Sequence, residues 1–372
     1  MKKLGFGLMR LPRIDPKDRS SIDVGQVMQM ADEFIDAGFT YFDTAWMYCG
    51  FKSEEAVRPV LTERRKRSGY TLATKFHAAF AKEPGDVEAI FSKQLEKTGA
   101  GYFDYYLYHD LNRDNYAKCI ELGAFGTIGK KKEEGLIRTL GCSFHDTPEI
   151  LDKVLTEHPE LEFVQLQINY LDWDSPAIRA RECYEVARRH GKPVIVMEPV
   201  KGGTLAAVPP AAEAKMKALH PDWSVASWAI RFAASLDGVM IVLSGMSNLD
   251  QLRENIGYMK DFSPLGEDEM NVIREVVGII NSDVFIPCTG CAYCVDGCPM
   301  NIPIPKYFSL YNADRQEIAT KEWTPQREYY DNLTNEFGAA GECIGCGQCE
   351  GICPQHLGVT KFLKDVAEYF GK

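Results

Sequence analysis

Two sets of four cysteines carry the clearest chemical signal in this sequence. Each set follows the spacing Cys-x2-Cys-x2-Cys-x3-Cys-Pro, and the eight residues are Cys288, Cys291, Cys294, Cys298, Cys343, Cys346, Cys349 and Cys353. Three thiolates on one short loop, with a fourth ahead of a proline, suit the iron corners of a cubic [4Fe–4S] cluster. Structural zinc sites also use Cys-x2-Cys pairs, but the regular third and fourth cysteines favour iron and sulfur. The sequence therefore predicts two [4Fe–4S] clusters.

A second group of reactive side chains lies in the first third of the chain. Asp43, Tyr48, Lys75 and His109 each stand at or just after the end of a short apolar run. A free tyrosine has a pKa of about 10, and a neighbouring ammonium lowers that value because it favours the phenolate. Lys75, held in place by Asp43, is expected to tune Tyr48 as a proton donor. With His109 positioning the substrate oxygen, the four residues predict general acid catalysis of carbonyl reduction.

Strand-like and helical patterns alternate from Leu4 to about residue 260, and they must position these side chains. The predicted strands are Leu4–Met9, Thr40–Thr44, Thr71–Phe76, Tyr105–His109, Thr139–Phe144, Val164–Asn169, Val194–Pro199 and Val239–Ser244. The predicted helices include Val24–Ala37, Ser53–Arg65, Val87–Lys97, Ala117–Glu134, Pro148–Glu157, Ala177–His190, Val225–Ala234 and Leu249–Lys260.

The length and number of these units select the fold. Continuous apolar strands indicate a parallel sheet that is covered on both faces. Eight strand–helix units over about 250 residues favour a closed (β/α)8 TIM barrel over an open doubly wound sheet. Gly5-x-Gly7 does not continue as Gly-x-Gly-x-x-Gly into a helix, which also disfavours the open sheet. Catalytic groups of such barrels lie where strands end, and neighbouring strands are about 4.8 Å apart, so the four side chains are expected to converge.

The pattern changes after Pro287, where cysteine, glycine and proline dominate. We therefore expect a barrel over residues 1–285, ending in a helical connector at 261–285, and a ferredoxin-type domain over 286–372. Tyr307–Leu310 and Pro325–Leu333 are predicted helices, so this second domain is expected to be small and mainly helical.

Composition limits the partners and the compartment. The chain has 372 residues, with 42 Lys and Arg against 53 Asp and Glu, and a net charge of −11. Such a field repels polyphosphate, so no nucleic-acid partner is expected. We find no run of 18 apolar residues and no signal-peptide pattern, so no membrane association is expected. Twelve cysteines without an export signal indicate a reducing cytoplasm, and oxygen-sensitive clusters suggest an anaerobic cell.

The barrel motifs resemble those of aldo-keto reductases. The resemblance rests on Gly5-Phe6-Gly7, Phe42-Asp43-Thr44-Ala45-x2-Tyr48, Thr74-Lys75 and Tyr108-His109. It implies that Asp43, Tyr48, Lys75 and His109 are the catalytic tetrad of that family. It also implies an NAD(P)H-dependent oxidoreductase that interconverts a small carbonyl compound and an alcohol. Together with the cysteine-rich tail, the sequence is similar to the iron–sulfur branch of the family.

The resemblance also implies where a nicotinamide cofactor, NADP(H) or NAD(H), would bind. Ser143 and Gln167 would hydrogen-bond its carboxamide, and Met197 stands where an aromatic residue usually covers the ring. Other expected cofactor contacts follow strands one, seven and eight, and they are Gly7, Lys201, Gly202, Gly245, Gln251 and Asn255. Glycines let a backbone approach pyrophosphate, and a helix N-terminus suits an anion.

Three positions depart from the family pattern. Phe144 and His145 follow Ser143 where an asparagine is common, and Met197 replaces the stacking aromatic. Gln251 occupies the position of an arginine that contacts the 2′-phosphate of NADP, and Arg253 is the basic residue nearby. The choice between NADP and NAD therefore stays open.

The cysteine-rich tail resembles bacterial-type dicluster ferredoxins. In that family the fourth cysteine of each motif binds the other cluster. The resemblance thus implies that Cys353 completes the first set and that Cys298 completes the second. Forty-four residues separate Cys298 from Cys343, which is more similar to helical dicluster modules of larger oxidoreductases.

Hydride transfer moves two electrons whereas each cluster carries one, and no flavin motif is identifiable. Three hypotheses follow: a carbonyl reductase whose clusters are structural or serve a flavoprotein or other redox partner, an electron-transfer protein whose barrel is a docking body, and a non-catalytic cofactor sensor. The complete tetrad favours the first. The tail that follows the barrel is also expected to cover the mouth of its pocket.

Overall fold

Residues 2–282 form a closed barrel with its surrounding helices, as the sequence predicts. The computed structural model describes residues 2–282, 284–316 and 323–371. All eight predicted strands are present and parallel, in chain order, and β1 closes the ring by pairing with β8. The strands are β1 (Leu4–Gly7), β2 (Tyr41–Asp43), β3 (Thr71–Phe76), β4 (Phe103–Leu111), β5 (Ile137–Phe144), β6 (Phe163–Gln167), β7 (Val194–Met197) and β8 (Val239–Ser244).

Large side chains fill the interior of the barrel. Buried residues from several strands meet there, and they are Tyr41, Ala73, Leu107, Phe163, Ile195, Ile241 and Leu243. Gly141 on β5 makes room for one of them, because a Cβ at Gly141 would lie 2.5 Å from the ring of Phe163 on β6. The barrel is therefore a packed core with its polar groups at one rim.

Helices cover the outside of the barrel. They are α1 (Val24–Asp36), α2 (Tyr48–Phe51), α3 (Ser53–Val57), α4 (Pro84–Thr98), α5 (Arg113–Glu121), α6 (Ala124–Glu133), α7 (Pro148–Glu157), α8 (Ala180–Arg189), α9 (Pro210–Leu219), α10 (Val225–Ser235), α11 (Leu249–Met259) and α12 (Glu267–Ser282). No helix in the described part of the chain has both the length and the apolar character needed to span a membrane.

Two predicted helices are wrong as single elements. The helix predicted over Ala117–Glu134 is divided into α5 and α6, because Gly123 adopts a left-handed conformation with φ of +62°. The helix predicted over Ser53–Arg65 ends as α3 at Val57 and continues at Arg58–Thr62 as a wider π-helical turn. Pro59 is the second residue of that turn and has no N–H to donate to the preceding turn.

The C-terminal residues 286–372, called the cluster domain below, contain four α-helices in the part that the structure describes. The helices are α13 (Ile304–Arg315), α14 (Pro325–Thr334), α15 (Gln348–Ile352) and α16 (Val359–Phe370), and α13 and α14 contain the two helices predicted there. Its apolar core includes Ala177, Ile178 and Ala180 of the barrel. The cluster domain and the barrel therefore share one buried core instead of being joined by a free linker.

Candidate active site and cluster cavities

Asp43, Tyr48 and Lys75 lie in contact at the carboxyl edge of the barrel. Lys75 is on β3, Asp43 ends the neighbouring strand β2, and Tyr48 starts α2 just beyond it. Nζ of Lys75 is 2.5 Å from Oδ1 of Asp43 and 3.3 Å from the hydroxyl oxygen of Tyr48, and it donates to the carbonyl oxygen of Thr44 at 2.9 Å. Asp43 and Lys75 are 2% and 1% exposed. The ammonium is therefore held between a carboxylate and the phenol.

The fourth predicted residue, His109, lies beside the phenol. The rings of His109 and Tyr48 meet nearly edge-on, with centroids 5.8 Å apart and planes at 82°. Nδ1 of His109 is buried and has no hydrogen-bond partner among the described residues. The structure thus brings together all four residues that the sequence predicted to converge.

The electrostatics of the site differ from the sequence-based expectation for Tyr48. Burial raises the pKa of Tyr48, and the nearby Lys75 ammonium only partly opposes that increase. Burial tends to lower the pKa of Lys75, but the charge of Asp43 and the contact with Tyr48 raise it overall. Burial also lowers the pKa of His109 well below its usual range. At neutral pH the site thus contains a protonated phenol, an ammonium and a neutral imidazole.

A buried polar network that the sequence analysis missed supports Lys75 from behind. The side-chain amide of Gln94 donates to the carbonyl oxygen of Lys75 at 2.9 Å and to Oε1 of Glu54 at 2.7 Å. Thr74 donates to the same Glu54 oxygen at 2.7 Å, and Tyr106 donates to Oε1 of Gln94 at 2.6 Å. Because Glu54 and Gln94 are fully buried, these bonds fix the position of β3. Glu54, an acidic residue on α3 next to β3, was the sequence feature from which this network could have been predicted.

Gln167 and Ser143, the predicted carboxamide contacts, stand at the same rim of the barrel. Nε2 of Gln167 donates to Asp172 at 3.3 Å, whereas its Oε1 is buried without a partner among the described residues. The hydroxyl of Ser143 accepts from the backbone N–H of Asp110 at 2.8 Å. Met197 pairs in register with Gln167 and is half-buried. An orphaned amide oxygen beside a half-buried thioether fits the amide and ring face of a nicotinamide.

The structure pairs Lys201 with a protein carboxylate. Nζ of Lys201 lies 2.8 Å from both carboxylate oxygens of Asp172, and both side chains are almost fully buried. Gly202 follows with φ of +63°, and its N–H donates to Oε2 of Glu198 at 2.7 Å. Lys201 therefore holds the loop after β7 in place, and its charge is not directed at solvent.

Gly7, Gly245, Gln251 and Asn255 meet where β1, β8 and α11 adjoin. A Cβ at Gly7 would lie 3.4 Å from the carbonyl oxygen of Ser244, so the two strand ends run close together. Oε1 of Gln251 accepts from the N–H of Ser247 at 2.7 Å, and Asn255 donates to the hydroxyl of Ser244 at 2.9 Å. These contacts shape the loop at the N-terminus of α11.

Arginines near this loop include one that the sequence analysis missed. Arg253 forms two hydrogen bonds of 2.8 Å with Glu33, which engages its guanidinium on the surface. Arg10, just after β1, lies across Gly245, since a Cβ at Gly245 would be 3.2 Å from Cδ of Arg10. It is also 3.6 Å from Glu198. The position of Arg10 next to β1 and a glycine-rich loop was the sequence feature from which a contact with an anion could have been predicted.

The cysteines of the cluster domain line two separate cavities. One cavity is lined by Cys298 together with Cys343, Cys346 and Cys349. The other is lined by Cys288, Cys291, Cys294 and Cys353. Each cavity thus takes three cysteines from one motif and the fourth from the other motif. Four thiols around an apolar cavity fit the four iron corners of a [4Fe–4S] cluster.

Helix α14 and the residues after it lie on the mouth of the barrel. They contact the loops that follow β4 and β5 through four side-chain interactions of 2.8–2.9 Å. These are Asn112–Glu328, His145–Asn332, Asp114–Asn335 and Arg113–Glu336, where His145 contributes its carbonyl oxygen. His109 and Asp110 end the strand that leads into the first of these loops. The cluster domain therefore forms part of the wall above the catalytic rim.

The parallel barrel carries a tyrosine, a lysine and an aspartate at its carboxyl edge, and two four-cysteine cavities follow it in the chain. These features define a barrel oxidoreductase with an iron–sulfur module. The family model described as "Aldo/keto reductase family" matches residues 3–277, about three quarters of the chain. The protein therefore belongs to the aldo/keto reductase family. A second model, "4Fe-4S dicluster domain", matches residues 287–357. These matches confirm the resemblance stated from the sequence motifs, and the protein is an NAD(P)-dependent oxidoreductase.

Similar proteins come from several bacteria. The uncharacterized oxidoreductase YqkF of Bacillus subtilis (strain 168) is 25% identical over 288 residues, which cover 69% of this chain and 86% of that protein. The holo form of aldo-keto reductase AKR11C1 from Bacillus halodurans has a TM-score of 0.59 and 25% identity, covering 74% of this chain and 91% of that one. An aldo-keto reductase from Klebsiella pneumoniae in complex with NADPH has a TM-score of 0.59 and 19% identity, covering 74% and 90%, and shows the shared fold.

Proposed function

We propose that this protein reduces the carbonyl group of a small aldehyde or ketone to an alcohol, or catalyses the reverse reaction, at the rim that holds Tyr48. The observation that carries the proposal is the position of the Lys75 ammonium, 2.5 Å from Asp43 and 3.3 Å from the Tyr48 hydroxyl. A phenol that is neutral at pH 7 and adjacent to a fixed cation can give up its proton when an oxyanion develops nearby.

The residues divide the work as follows. Tyr48 donates its hydroxyl proton to the carbonyl oxygen, and Lys75 stabilises the phenolate that remains. Asp43 keeps Lys75 charged and in place, and neutral His109 donates a hydrogen bond to the same carbonyl oxygen. When bound, the reduced nicotinamide supplies a hydride to the carbonyl carbon, so that one hydride and one proton convert the carbonyl to an alcohol. Solvent then returns a proton to Tyr48.

The cofactor contacts belong to the same proposal. The unpartnered Oε1 of Gln167 would accept from the nicotinamide carboxamide, with Ser143 and Met197 beside it. The phosphates of the cofactor would be bordered by Gly7, Gly202 and Gly245. The N-terminal part of α11, with Gln251 and Asn255, would also border them, and Arg10 adds a cation there. Lys201 would support this region through Asp172. Because Arg253 is paired with Glu33, its presence does not decide between NADPH and NADH, and both cofactors have to be tested.

The cluster cysteines are proposed to bind two [4Fe–4S] clusters in the crossed arrangement, Cys288, Cys291 and Cys294 with Cys353, and Cys343, Cys346 and Cys349 with Cys298. One further observation favours electron exchange with a flavoprotein or other external redox partner. Cys291 and Cys346, one from each set, are exposed at the surface. Electrons can therefore reach either cluster from outside without passing through the barrel.

Replacement of Tyr48 by phenylalanine tests the proposal. Anaerobically purified protein with full iron content is assayed with a panel of aldehydes and ketones, with NADPH and NADH in turn. Loss of the proton donor is expected to lower kcat by about 10²–10⁴-fold, while iron content and cofactor binding, measured by fluorescence, stay unchanged. Tyr184→Phe, whose hydroxyl contacts Asp237 before β8 at the opposite end of the barrel, is the control. Retained turnover in Tyr48→Phe would rule out the tyrosine mechanism.

A further inference from the structure

A pair of carboxyl groups lies on the cluster-domain side of the catalytic rim, and the proposed mechanism does not use it. Asp110 directly follows His109, and Glu328 projects from α14 of the cluster domain. Glu328 accepts a hydrogen bond from Asn112 at 2.8 Å. Burial and then the charge of Asp110 raise the pKa of Glu328 to about 7. Asn112 lies two residues after Asp110, and Asn115 contacts both of their side chains, so the two carboxyls are neighbours across the boundary between the barrel and the cluster domain.

Neither carboxyl is neutralised by a cation in the described part of the chain. The ion pairs of the described residues give Asp110 one partner, the imidazole of His77 at 3.6 Å, and give Glu328 none. Nδ1 of His77 accepts from the N–H of Ala79 at 3.2 Å, so Nε2 is the ring nitrogen that faces Asp110. Oδ1 of Asp110 is buried without a hydrogen-bond partner among the described residues. Among the described residues, no lysine or arginine therefore pairs with either carboxyl.

A separate polar atom near Asp110 is also unsatisfied. His145 is 6% exposed, and its Nδ1 has no hydrogen-bond partner among the described residues. Its ring lies within electrostatic reach of both Asp110 and Glu198, which raise its pKa against the larger lowering effect of burial. A buried polar atom without a partner costs free energy unless a bound group satisfies it.

The carboxyl pair is continuous with the catalytic side chains. The ring of His77 lies 5.2 Å from that of His109, which in turn lies 5.8 Å from the ring of Tyr48. A row of polar side chains therefore leads from the phenol to Asp110, and Glu328 stands beyond it. A small carbonyl compound whose oxygen reaches Tyr48 would extend its other end toward the two carboxyls.

We propose that Asp110 and Glu328 bind an ammonium group on the substrate, so that the enzyme selects amino-substituted carbonyl compounds, a proposal that rests on the proposed carbonyl reduction. The N–H of a protonated amine would donate to one carboxylate while both carboxylates stabilise its positive charge, which replaces the proton that the pair otherwise holds. The cluster domain thus supplies one half of the recognition site and the barrel supplies the other half.

Three aldehydes of similar shape test this proposal with the full-length protein and intact clusters. They are 4-(dimethylaminomethyl)benzaldehyde, whose tertiary amine is charged and cannot condense with the aldehyde, neutral 4-isopropylbenzaldehyde, and anionic 4-carboxybenzaldehyde. The wild-type protein is expected to favour the first over the second in kcat/KM. Glu328→Gln keeps an acceptor for Asn112 but removes the charge. It is expected to shift that ratio toward the neutral aldehyde by about tenfold.

Two matched variants separate recognition from folding. Glu336→Gln removes an exposed carboxylate from the same side of the domain boundary, where it pairs with Arg113, and should leave the ratio unchanged. Asp110→Asn should shift the ratio as Glu328→Gln does. Asparagine suits this position because Asp110 has φ of +53°, a left-handed conformation that asparagine tolerates. Should Glu328→Gln alter all three aldehydes in parallel, its role would be structural and the proposal would be overturned.

A binding measurement keeps this result separate from the proposed function. Benzyldimethylamine, which is protonated at pH 7.5 and has no carbonyl group, is titrated into the holoprotein by calorimetry, with benzyl alcohol as the neutral control. Saturable binding of the amine, weakened about tenfold by Glu328→Gln, supports the proposal even where no aldehyde turns over. Reduction of the neutral aldehyde without binding of the amine overturns the ammonium site and leaves the carbonyl reductase intact.

Discussion

Replacing Lys75 by methionine is expected to destabilise the barrel at least as much as replacing Asp43 and Lys75 together. At 2.5 Å and an effective dielectric constant of about 20, the two charges attract each other by about 7 kcal/mol, before the cost of removing both from water. Breaking one side of such a buried pair typically costs about 3–5 kcal/mol, because the remaining charge is left uncompensated.

The structure indicates which groups lose their partner in each variant. In Lys75→Met, Oδ1 of Asp43 and the carbonyl oxygen of Thr44 lose their donor, and Oδ2 of Asp43 already has none among the described residues. In Asp43→Asn, Lys75 keeps Thr44 and Tyr48 as partners. We therefore expect losses of about 3–5 kcal/mol for Lys75→Met and about 2–3 kcal/mol for Asp43→Asn. The double variant should lose no more than Lys75→Met alone, so the coupling energy should be about 2 kcal/mol or more.

Equilibrium unfolding in urea under anaerobic conditions measures these differences. Fluorescence reports mainly on the barrel, since Trp46, Trp173, Trp223 and Trp228 lie there and Trp323 in the cluster domain, and cluster absorbance reports on the second part. Lys201→Met, which breaks the similar buried pair with Asp172, is the control for a loss of charge away from Tyr48. Losses in the double variant that simply add, within about 0.5 kcal/mol, would refute the idea that the pair is held by mutual attraction.

Two further predictions concern proton transfer and cluster binding. Burial raises the pKa of Tyr48 and lowers the pKa of His109. The rate of carbonyl reduction should therefore stay flat between pH 6 and 9 and fall only above that range, where Tyr48 loses its proton. A pH–rate profile of kcat that falls on the acid side with a pKa near 6.5 would contradict this assignment. Cys298→Ser should remove the cluster at Cys343, Cys346 and Cys349, and Cys353→Ser the other one. Each variant should contain about half of the wild-type iron. The electron paramagnetic resonance spectrum of the reduced protein should lose a different signal in each variant. Loss of the same signal in both variants would exclude the crossed arrangement.

The fold was predictable because burial leaves a strong pattern in a parallel barrel. The strands are covered on both faces, so each appears in the sequence as a continuous apolar run, and all eight predicted runs are strands in the structure. The division of the helix at Gly123 was not predictable from periodicity, since apolar residues recur at helical spacing on both sides of the break. The boundary at residue 285 stays a prediction, because the two parts share a buried core.

Residues of the site were predictable from the sequence only where their position in the chain determines where they lie in the fold. Asp43, Lys75 and His109 end neighbouring strands, so the barrel itself brings them to one rim. The pKa of Tyr48 was not predictable, because it depends on how completely the surrounding residues remove water from the phenol. Arg10, Glu54 and Glu328 were missed for a related reason, since each acts through contacts between segments that are distant in sequence. The roles of the tetrad and of the cofactor contacts stay predictions until the variants are measured.

The crossed cysteine arrangement proposed above would connect cluster binding to the position of Glu328. Cys298 and Cys343 line the same cavity, so the segment between them, which carries α13 and α14, becomes a loop closed by one cluster. Closing a loop of about 44 residues by a covalent cross-link stabilises it by about 4 kcal/mol through chain entropy. Because Glu328 on α14 contacts Asn112 of the barrel from within that loop, a cluster bound there would fix the position of Glu328 without passing an electron to it. A structural role for one cluster is therefore compatible with electron exchange at the other, and hydride chemistry at Tyr48 does not require that the two be connected.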